Sequence, residues 1–314
     1  MIPQFLIFIN ILISSNGFRV TKFPKKDYQK LLTMFSELQK GNVVIFPSLI
    51  RRFCRGLWKL ILDDTTNPMY GLTHVTRKMK ILTNNGYSKG FKILLFLCVT
   101  EESHRIPIGF ALWMKDSPSM NDLALEGFSK IRNFYKKHLN PEYVLADGAF
   151  CVDKIVKHLK NYGWKFVMRT RSDRNLDNQR VTDQIKTTYG SLIGHLRNGE
   201  KVKIFKRKDR LYMSNCLSWT NKEITDRYKL RWLIEEVFRA VKSCLKLNVC
   251  QQHTVVAKAL YIFGCFVTFA LLERLKDLPD LFLKTRSVYE VHKKVLFGDL
   301  KIDEALFLRV LPAI

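Results

Sequence analysis

The sequence predicts a mixed α/β sheet flanked by helices, and three observations carry that reading. Two compact apolar runs each end in an acid: WKLILD at 58–63 and EYVLAD at 142–147. Two further apolar runs, KILLFLCVT (92–100) and RIPIGFALWM (105–114), are separated only by EESH, the signature of an antiparallel hairpin. After them, helical and strand patterns alternate. Strands in antiparallel succession, followed by strands alternating with helices, indicate a mixed sheet. At 314 residues and 47% apolar composition, the chain can build one large core or two modest ones.

The elements follow in order. Residues 1–54 read as helical and basic, with Pro3, Pro24 and Pro47 as breakers. The run at 58–63 is a buried strand, and 92–100 and 105–114 form the hairpin. Residues 121–138 read as a helix, 142–147 as a strand, 151–162 as a helix and 165–169 as a strand. From 170 to 218 the chain turns polar and cationic. Within it KVKIFKRKDRLYMS (201–214) reads as a basic hairpin turning near Lys208-Asp209. A long amphipathic helix follows from Tyr228, then an apolar run, then a helical tail from about 286. This divides the chain into a helical N-terminal region (1–54), a sheet domain (55–300) interrupted by a basic, mostly β insertion (170–218), and a tail (301–314).

Charge narrows the partner. Lys and Arg number 53 against 28 Asp and Glu, a net charge of +25. Such a balance points to a polyanion, most simply nucleic acid. A membrane surface is the competing partner, but no lipid-anchor signal accompanies it. The run FLIFINILIS (5–14) lacks a basic leader and a small-residue cleavage site, so it is not read as a signal peptide. The apolar stretch ALYIFGCFVTFALL (259–272) is too short to span a bilayer and reads as a buried core helix. Seven scattered cysteines without a CxxC pair suggest buried thiols in a reducing compartment. Cys250 and His253 form a lone CxxH with no second half, which is not read as a zinc site.

The segment DRYKLRWLIEEVFRAVKSCLK holds the most informative constellation: Tyr228, Arg231, Glu235 and Lys242. At about 100° per residue on an α-helix, these four share an arc of about 60°, with Arg239 and Lys246 on the same stripe. Leu230, Leu233, Ile234, Val237, Val241 and Cys244 take the opposite side. Glu236 falls off the polar stripe. Solvated ion pairs on a surface helix would give the same spacing. A carboxylate set among cations also suits a metal ligand flanked by phosphate contacts. Acids at strand ends, Asp63 or Asp64 and Asp147, could complete such a site, because hard divalent cations take oxygen ligands. Asp is also common as a turn or cap residue. Adjacent strand residues point to opposite faces, so only one of Asp63 and Asp64 can take part.

Over roughly residues 56–250 the chain resembles the insertion-sequence transposases with an Asp-Asp-Glu triad. More specifically, it resembles the group marked by a Tyr-(2)-Arg-(3)-Glu-(6)-Lys signature, which Tyr228, Arg231, Glu235 and Lys242 match. LILDDTTNPMYG resembles the group's first acidic motif, a strand running into Asp-Thr-Thr, and VLADGAF its second. LYMSN (211–215) resembles its last core strand. The resemblance implies a ribonuclease H-like core and catalytic, metal-binding acids at Asp64, Asp147 and Glu235, with Asp64 chosen over Asp63 by the Asp-Thr-Thr match. It implies Mg²⁺, two ions per site with Mn²⁺ as a substitute. DNA contacts would come from Tyr228, Arg231, Lys242, Arg239, Lys206, Arg207 and Lys208. The partners implied are double-stranded DNA, both inverted-repeat ends and target, and a second copy of the chain on that DNA, in a cytoplasmic, nucleoid-associated setting without a membrane. Cut-and-paste transposition, with a hairpin step in many members, is the activity implied. Trp219 reads as a core or hinge residue, with stacking on an extruded base as its second reading. Two other readings share these residues: a shortened copy that binds DNA or inhibits a full-length relative, and a ribonuclease H-like nuclease with another role.

Overall fold

The computed structural model describes residues 2–14, 24–38, 41–68, 77–83, 86–135, 140–249, 252, 254–278 and 287–311. The N-terminal part forms α1 (Ile2–Ser14), α2 (Lys25–Leu38), the short strand β1 (Val43–Ile45) and α3 (Pro47–Phe53). Two of the expected breakers sit at helix starts: Pro24 precedes α2, and Pro47 opens α3, where a missing N–H costs nothing. The sheet domain continues with β2 (Lys59–Pro68), β3 (Arg77–Thr83), β4 (Gly86–Val99), β5 (Arg105–Trp113), α4 (Met120–Tyr135), β6 (Tyr143–Ala146), α5 (Asp153–Asn161) and β7 (Phe166–Thr170). Next come β8 (Asn175–Leu176), β9 (Gln179–Arg180), α6 (Val181–Gln184), β10 (Tyr189–His195), β11 (Lys201–Arg207) and β12 (Arg210–Ser214). The helices α7 (Asn221–Lys229), α8 (Trp232–Cys244), α9 (Val255–Leu275), α10 (Val288–Leu296) and α11 (Glu304–Val310) finish the chain.

Among the described residues one large mixed sheet runs β1-β5-β4-β2-β6-β7-β12-β11-β10, with β3 paired to β4. Its centre, β5-β4-β2-β6-β7, has two antiparallel pairings on one side of β2 and two parallel ones on the other. This order is compatible with a ribonuclease H-like fold. The 201–214 hairpin forms as read, with Lys208 at a positive φ of 56° in its turn. The cationic stretch joins the main sheet, because β12 pairs antiparallel with β7 and carries β11 and β10 outward. Only β8, β9 and α6 stand off it.

Faces of the central strand decide where the site lies. Leu62 pairs with Phe96, and α4 rests so closely on Phe96 that a Cβ on Gly127 would come within 2.0 Å of its ring. Leu62, Asp64 and Thr66 therefore face α4. Ile61, Asp63 and Thr65 face the other way, toward α8.

The helix α9 lies on that second face. Phe266 meets Phe110 of β5 at 5.7 Å, and Phe263 meets Phe46 at 5.1 Å. The expected 14-residue apolar run is the middle of this 21-residue helix, which is long and apolar enough to cross a membrane. Here it is buried within the protein, as the core reading had it. It extends past Lys258 and Glu273, both fully buried. The apolar run near the N-terminus packs onto it: Phe8, Ile9, Leu12 and Ile13 of α1 are buried, and a Cβ at Gly264 would fall 2.0 Å from the Phe8 ring. The six described cysteines are all unbridged. Cys250 and His253 lie outside the described residues.

Candidate active site

A capping box starts α7. The Thr220 side chain accepts from the Glu223 N–H, and Glu223 in turn accepts from the Thr220 N–H. This helix carries Tyr228. The expected single helix from Tyr228 to Lys242 is instead two. At Leu230–Arg231 the backbone tightens to i→i−3 bonds: Leu230 to Arg227, Arg231 to Tyr228 and Leu233 to Leu230. The stripe survives this tightening, but α8 starts only at Trp232 and Arg231 becomes its N-cap. Lys246 lies beyond the end of α8.

Arg231 is the hub. Its Nη1 lies 2.5 Å from Asp63 Oδ2, and its Nη2 pairs with Glu235 one turn on. Asp147, one residue past the end of β6, receives a long hydrogen bond from the Tyr228 hydroxyl, 3.5 Å to Oδ1. Asp147 acts on the charges of both Asp63 and Arg231. Asp63 and Glu235 thus flank one guanidinium, and Asp147, beside the Tyr228 hydroxyl, lies near enough for its charge to act on it. Lys242, two turns along α8, donates to Thr65 Oγ1 at 2.6 Å and to the Thr66 carbonyl at 3.2 Å.

Asp64, the first acid that the resemblance implies, stands apart from this cluster. Its carboxylate lies on the α4 face of β2, 2.8 Å from Lys92 Nζ, while Asp63 faces the cluster. The physical reason is the strand pleat, which sends neighbouring residues to opposite faces. The one contact between the two is local: the Asp64 N–H donates to Asp63 Oδ1 at 2.9 Å.

The electrostatics of the cluster are unbalanced. Burial raises the Asp63 carboxyl from 3.8 to about 6; Arg231 and the Asp64 N–H pull it down, while the charges of Asp64 and Asp147 push it further up. Burial also pushes the Tyr228 phenol up, with Asp147 adding to it. Arg231 is affected most by burial, which opposes its charge, yet Asp63, Tyr228, Glu235 and Asp147 together hold its proton more tightly than usual. Burial lowers the Lys242 ammonium. Even with Arg231 in place, Asp63 remains short of positive charge.

The other sequence-predicted residues are scattered. Arg239 is exposed on α8, its guanidinium 5.5 Å over the Trp232 ring. Glu236 leaves the cluster, as its phase indicated, and pairs with Arg105 at 2.8 Å. Lys206 donates to the Ile185 carbonyl at 2.9 Å, so its charge is partly committed to holding the fold. Arg207 and Lys208 stand exposed at the β11–β12 turn. Trp219 is 8% exposed, with Arg227 stacked 4.2 Å above it and Tyr143 against its edge. That is the core reading, and it leaves no face for a base. Sequence reasoning missed Thr65 as the seat of Lys242, and Lys92 as the partner of Asp64. Thr65 was findable, because it lies two residues from Asp63 and so shares its face.

Among the described residues no three carboxylate, imidazole or thiol side chains stand close enough to hold a metal ion as they are. The donor chemistry nevertheless fits a hard divalent cation. Asp63, Asp147 and Glu235 offer oxygen ligands only, and the raised Asp63 carboxyl marks a place where added positive charge would be favourable. The guanidinium of Arg231 takes up part of that deficit.

Nothing among curated proteins matches the chain. Among solved structures it is similar to the catalytic domain of human endonuclease V, at 13% identity and a TM-score of 0.27, over 69% of this chain and 99% of that one. A likeness so remote carries no weight for function. The family description "Transposase DDE domain" matches residues 56–271, well over half the sequence, spanning β2, Asp147 and α8. The chain therefore belongs to the transposase DDE domain family.

Proposed function

We propose that this transposase cuts and joins DNA by phosphoryl transfer at Asp63, Asp147 and Glu235. The observation that carries the reading is that Arg231 pairs with Asp63 of β2 and Glu235 of α8, while Tyr228 of the same signature reaches Asp147 past the end of β6. Membership in the family supports transposase activity in general and, with it, divalent metal. The Tyr-Arg-Glu-Lys signature favours the corresponding group of insertion-sequence enzymes.

The residues can be given roles from their chemistry. Asp63, Asp147 and Glu235 would hold Mg²⁺ ions, or Mn²⁺ in their place. When bound, such ions supply Lewis-acid stabilisation of charge on the reacting phosphate oxygens. Arg231 would leave the carboxylates for the phosphate, where its fork can bind two oxygens. Lys242, held near the site by Thr65, would contact a neighbouring phosphate as a point charge. Tyr228 keeps its proton at neutral pH because burial raises it, so its hydroxyl can donate a hydrogen bond. Arg239, Arg207 and Lys208, all exposed, would meet the backbone of bound duplex, with Lys206 in a lesser role. Cutting both ends of an element calls for two copies of the chain on inverted-repeat DNA, in a nucleoid-associated, cytoplasmic setting.

The test is a plasmid-cleavage assay with the gene's own genomic flanks, comparing wild type with Glu235→Ala, with and without Mg²⁺. Metal-dependent cuts at both flanks, absent in the variant, are expected. Shifted DNA without cleavage by either protein would instead mean a DNA-binding, inhibitory copy. Cutting of unrelated branched DNA, with no preference for the flanks, would mean a nuclease with another role.

A further inference from the structure

A polar cavity that has no part in the acidic cluster lies against β7 and α5, on the face of β7 turned away from Tyr228. Its volume is about 400 Å³, and it opens where β7 ends and α5 begins. Arg171, Arg174, Arg197 and Asn175 line it, with Leu196 and Cys151 as apolar wall. Two acids answer the three arginines: Asp153, 2.7 Å from Arg174, and Asp173, 2.8 Å from Arg171. Arg197 is exposed and makes no ion pair among the described residues. On the donor side the Arg174 Nε and Nη2 are buried without a hydrogen-bond partner, although Nη2 lies 2.7 Å from Asp153 Oδ1; Asp153 Oδ1, Asn175 Oδ1 and Thr170 Oγ1 are also buried without one. A buried guanidinium N–H left unsatisfied is costly, so its persistence beside an open cavity asks for a ligand with acceptor oxygens. An excess of guanidinium forks selects an anion with several oxygens, which describes phosphate.

Place in the fold adds a direction. Cys151 stands four residues after Asp147, across one turn of 3₁₀ helix (Gly148–Phe150). Thr170, in the cavity wall, follows Arg169 on β7, and the Arg169 charge reaches Tyr228 on the other face of the sheet. The cavity and the acidic cluster are therefore joined through the adjacent ends of β6 and β7.

We propose that this cavity binds a phosphate group, and that in the working enzyme the group is a backbone phosphate of the DNA strand held at the acidic cluster. The DNA assignment rests on the function proposed above; the phosphate chemistry does not. Arg174 and Arg197 would supply the N–H donors, with Arg171 at the mouth.

Two measurements test it on the full chain. The first titrates inorganic phosphate and follows thermal unfolding of wild type, Arg197→Ala and Arg171→Ala. Both variants change exposed side chains and keep the half-buried Arg174–Asp153 pair. The second follows binding of a fluorescein-labelled 30-base-pair duplex by anisotropy against salt, for the same proteins. Loss of one phosphate contact should make the log–log salt slope shallower by about 0.9. A shallower slope in Arg197→Ala supports the proposal, whether or not free phosphate also binds. Phosphate protection that Arg197→Ala loses, with an unchanged DNA slope, overturns the DNA assignment in favour of a free-anion site. No change in either measurement overturns the proposal entirely. Failure of the proposed function would look different: wild type and Glu235→Ala would both leave DNA uncut, whatever the slopes.

Discussion

Helix α8 presents two adjacent glutamates to two arginine-centred clusters, and the two clusters are resolved in opposite ways. Glu236 joins Arg105, which also grips the fully buried Glu273 through Nε and Nη2 at 2.9 and 2.7 Å. Burial would push the Glu273 carboxyl up, but Arg105 and Lys276 hold it below its usual range. That cluster is satisfied. Glu235 joins Arg231 and Asp63 on the next face, and there burial and neighbouring carboxylates win, raising Asp63 to about 6. The first cluster pins α8 and α9 to β5. The second lacks positive charge at a strand centre, where a protein built only for stability would have placed another cation or an apolar residue. Completeness of charge separates structure from function here, even between neighbouring residues of one helix.

Breaking the satisfied cluster should give the largest stability effect. Arg105→Ala leaves Glu273 buried with Lys276 as its remaining partner, and a loss of about 3 kcal/mol is expected in urea denaturation. Asp63→Asn should cost no more than about 1 kcal/mol at pH 7, since it removes a carboxylate that is already poorly satisfied. A comparable loss in both would erase the contrast.

Acid titration sharpens it next. The Asp63 pKa is raised in the folded chain, so between about pH 4 and 6 the native state holds a proton that the unfolded chain has released. Native protein then binds more protons than unfolded, and stability contributed by this group falls as pH rises through that window. The full effect is up to about 3 kcal/mol. Urea midpoints of wild type minus those of Asp63→Asn, measured from pH 3.5 to 7, should fall across the window and flatten above pH 6. For Glu273, whose pKa is lowered, the sign reverses: its stability contribution is present above its unfolded value and is lost on acidification.

A smaller effect should come from metal. Mg²⁺ at 100 times its dissociation constant should stabilise wild type by about 2.7 kcal/mol at pH 7. Arg105→Gln should respond as wild type does, relative to its own baseline, and Asp63→Asn should not respond. Equal responses in all three would place the ion elsewhere.

The sheet was legible because apolar runs of strand length bounded by acids and turns leave few alternatives. The basic hairpin, the buried helix and the departure of Glu236 from the stripe were legible for similar reasons of period. Asp63 was not. Leu60, Ile61 and Leu62 are all fully buried, because β2 is covered on both faces. A strand apolar on both faces carries no alternation, so its sequence cannot say which of two adjacent acids meets a helix. The break between α7 and α8 was hidden for another reason: neither glycine nor proline marks it, and both Leu230 and Arg231 keep right-handed helical dihedrals. The sequence placed the basic stretch at 201–214 in a hairpin but could not show that β12 pairs with β7, since strand partners distant in sequence leave no local signal.

The most direct test of the account separates the two neighbouring acids. Asp63→Asn and Asp64→Asn should each be assayed for Mg²⁺-dependent cleavage of a plasmid carrying the gene's flanks, with folding checked by circular dichroism. Asp63→Asn should lose at least about 10²-fold in cleavage, the scale of loss when reacting groups are misplaced, while Asp64→Asn stays within about tenfold of wild type. Loss in Asp64→Asn with activity retained in Asp63→Asn would contradict the account, and would mean that the face of β2 packed against α8 is not the one that meets DNA.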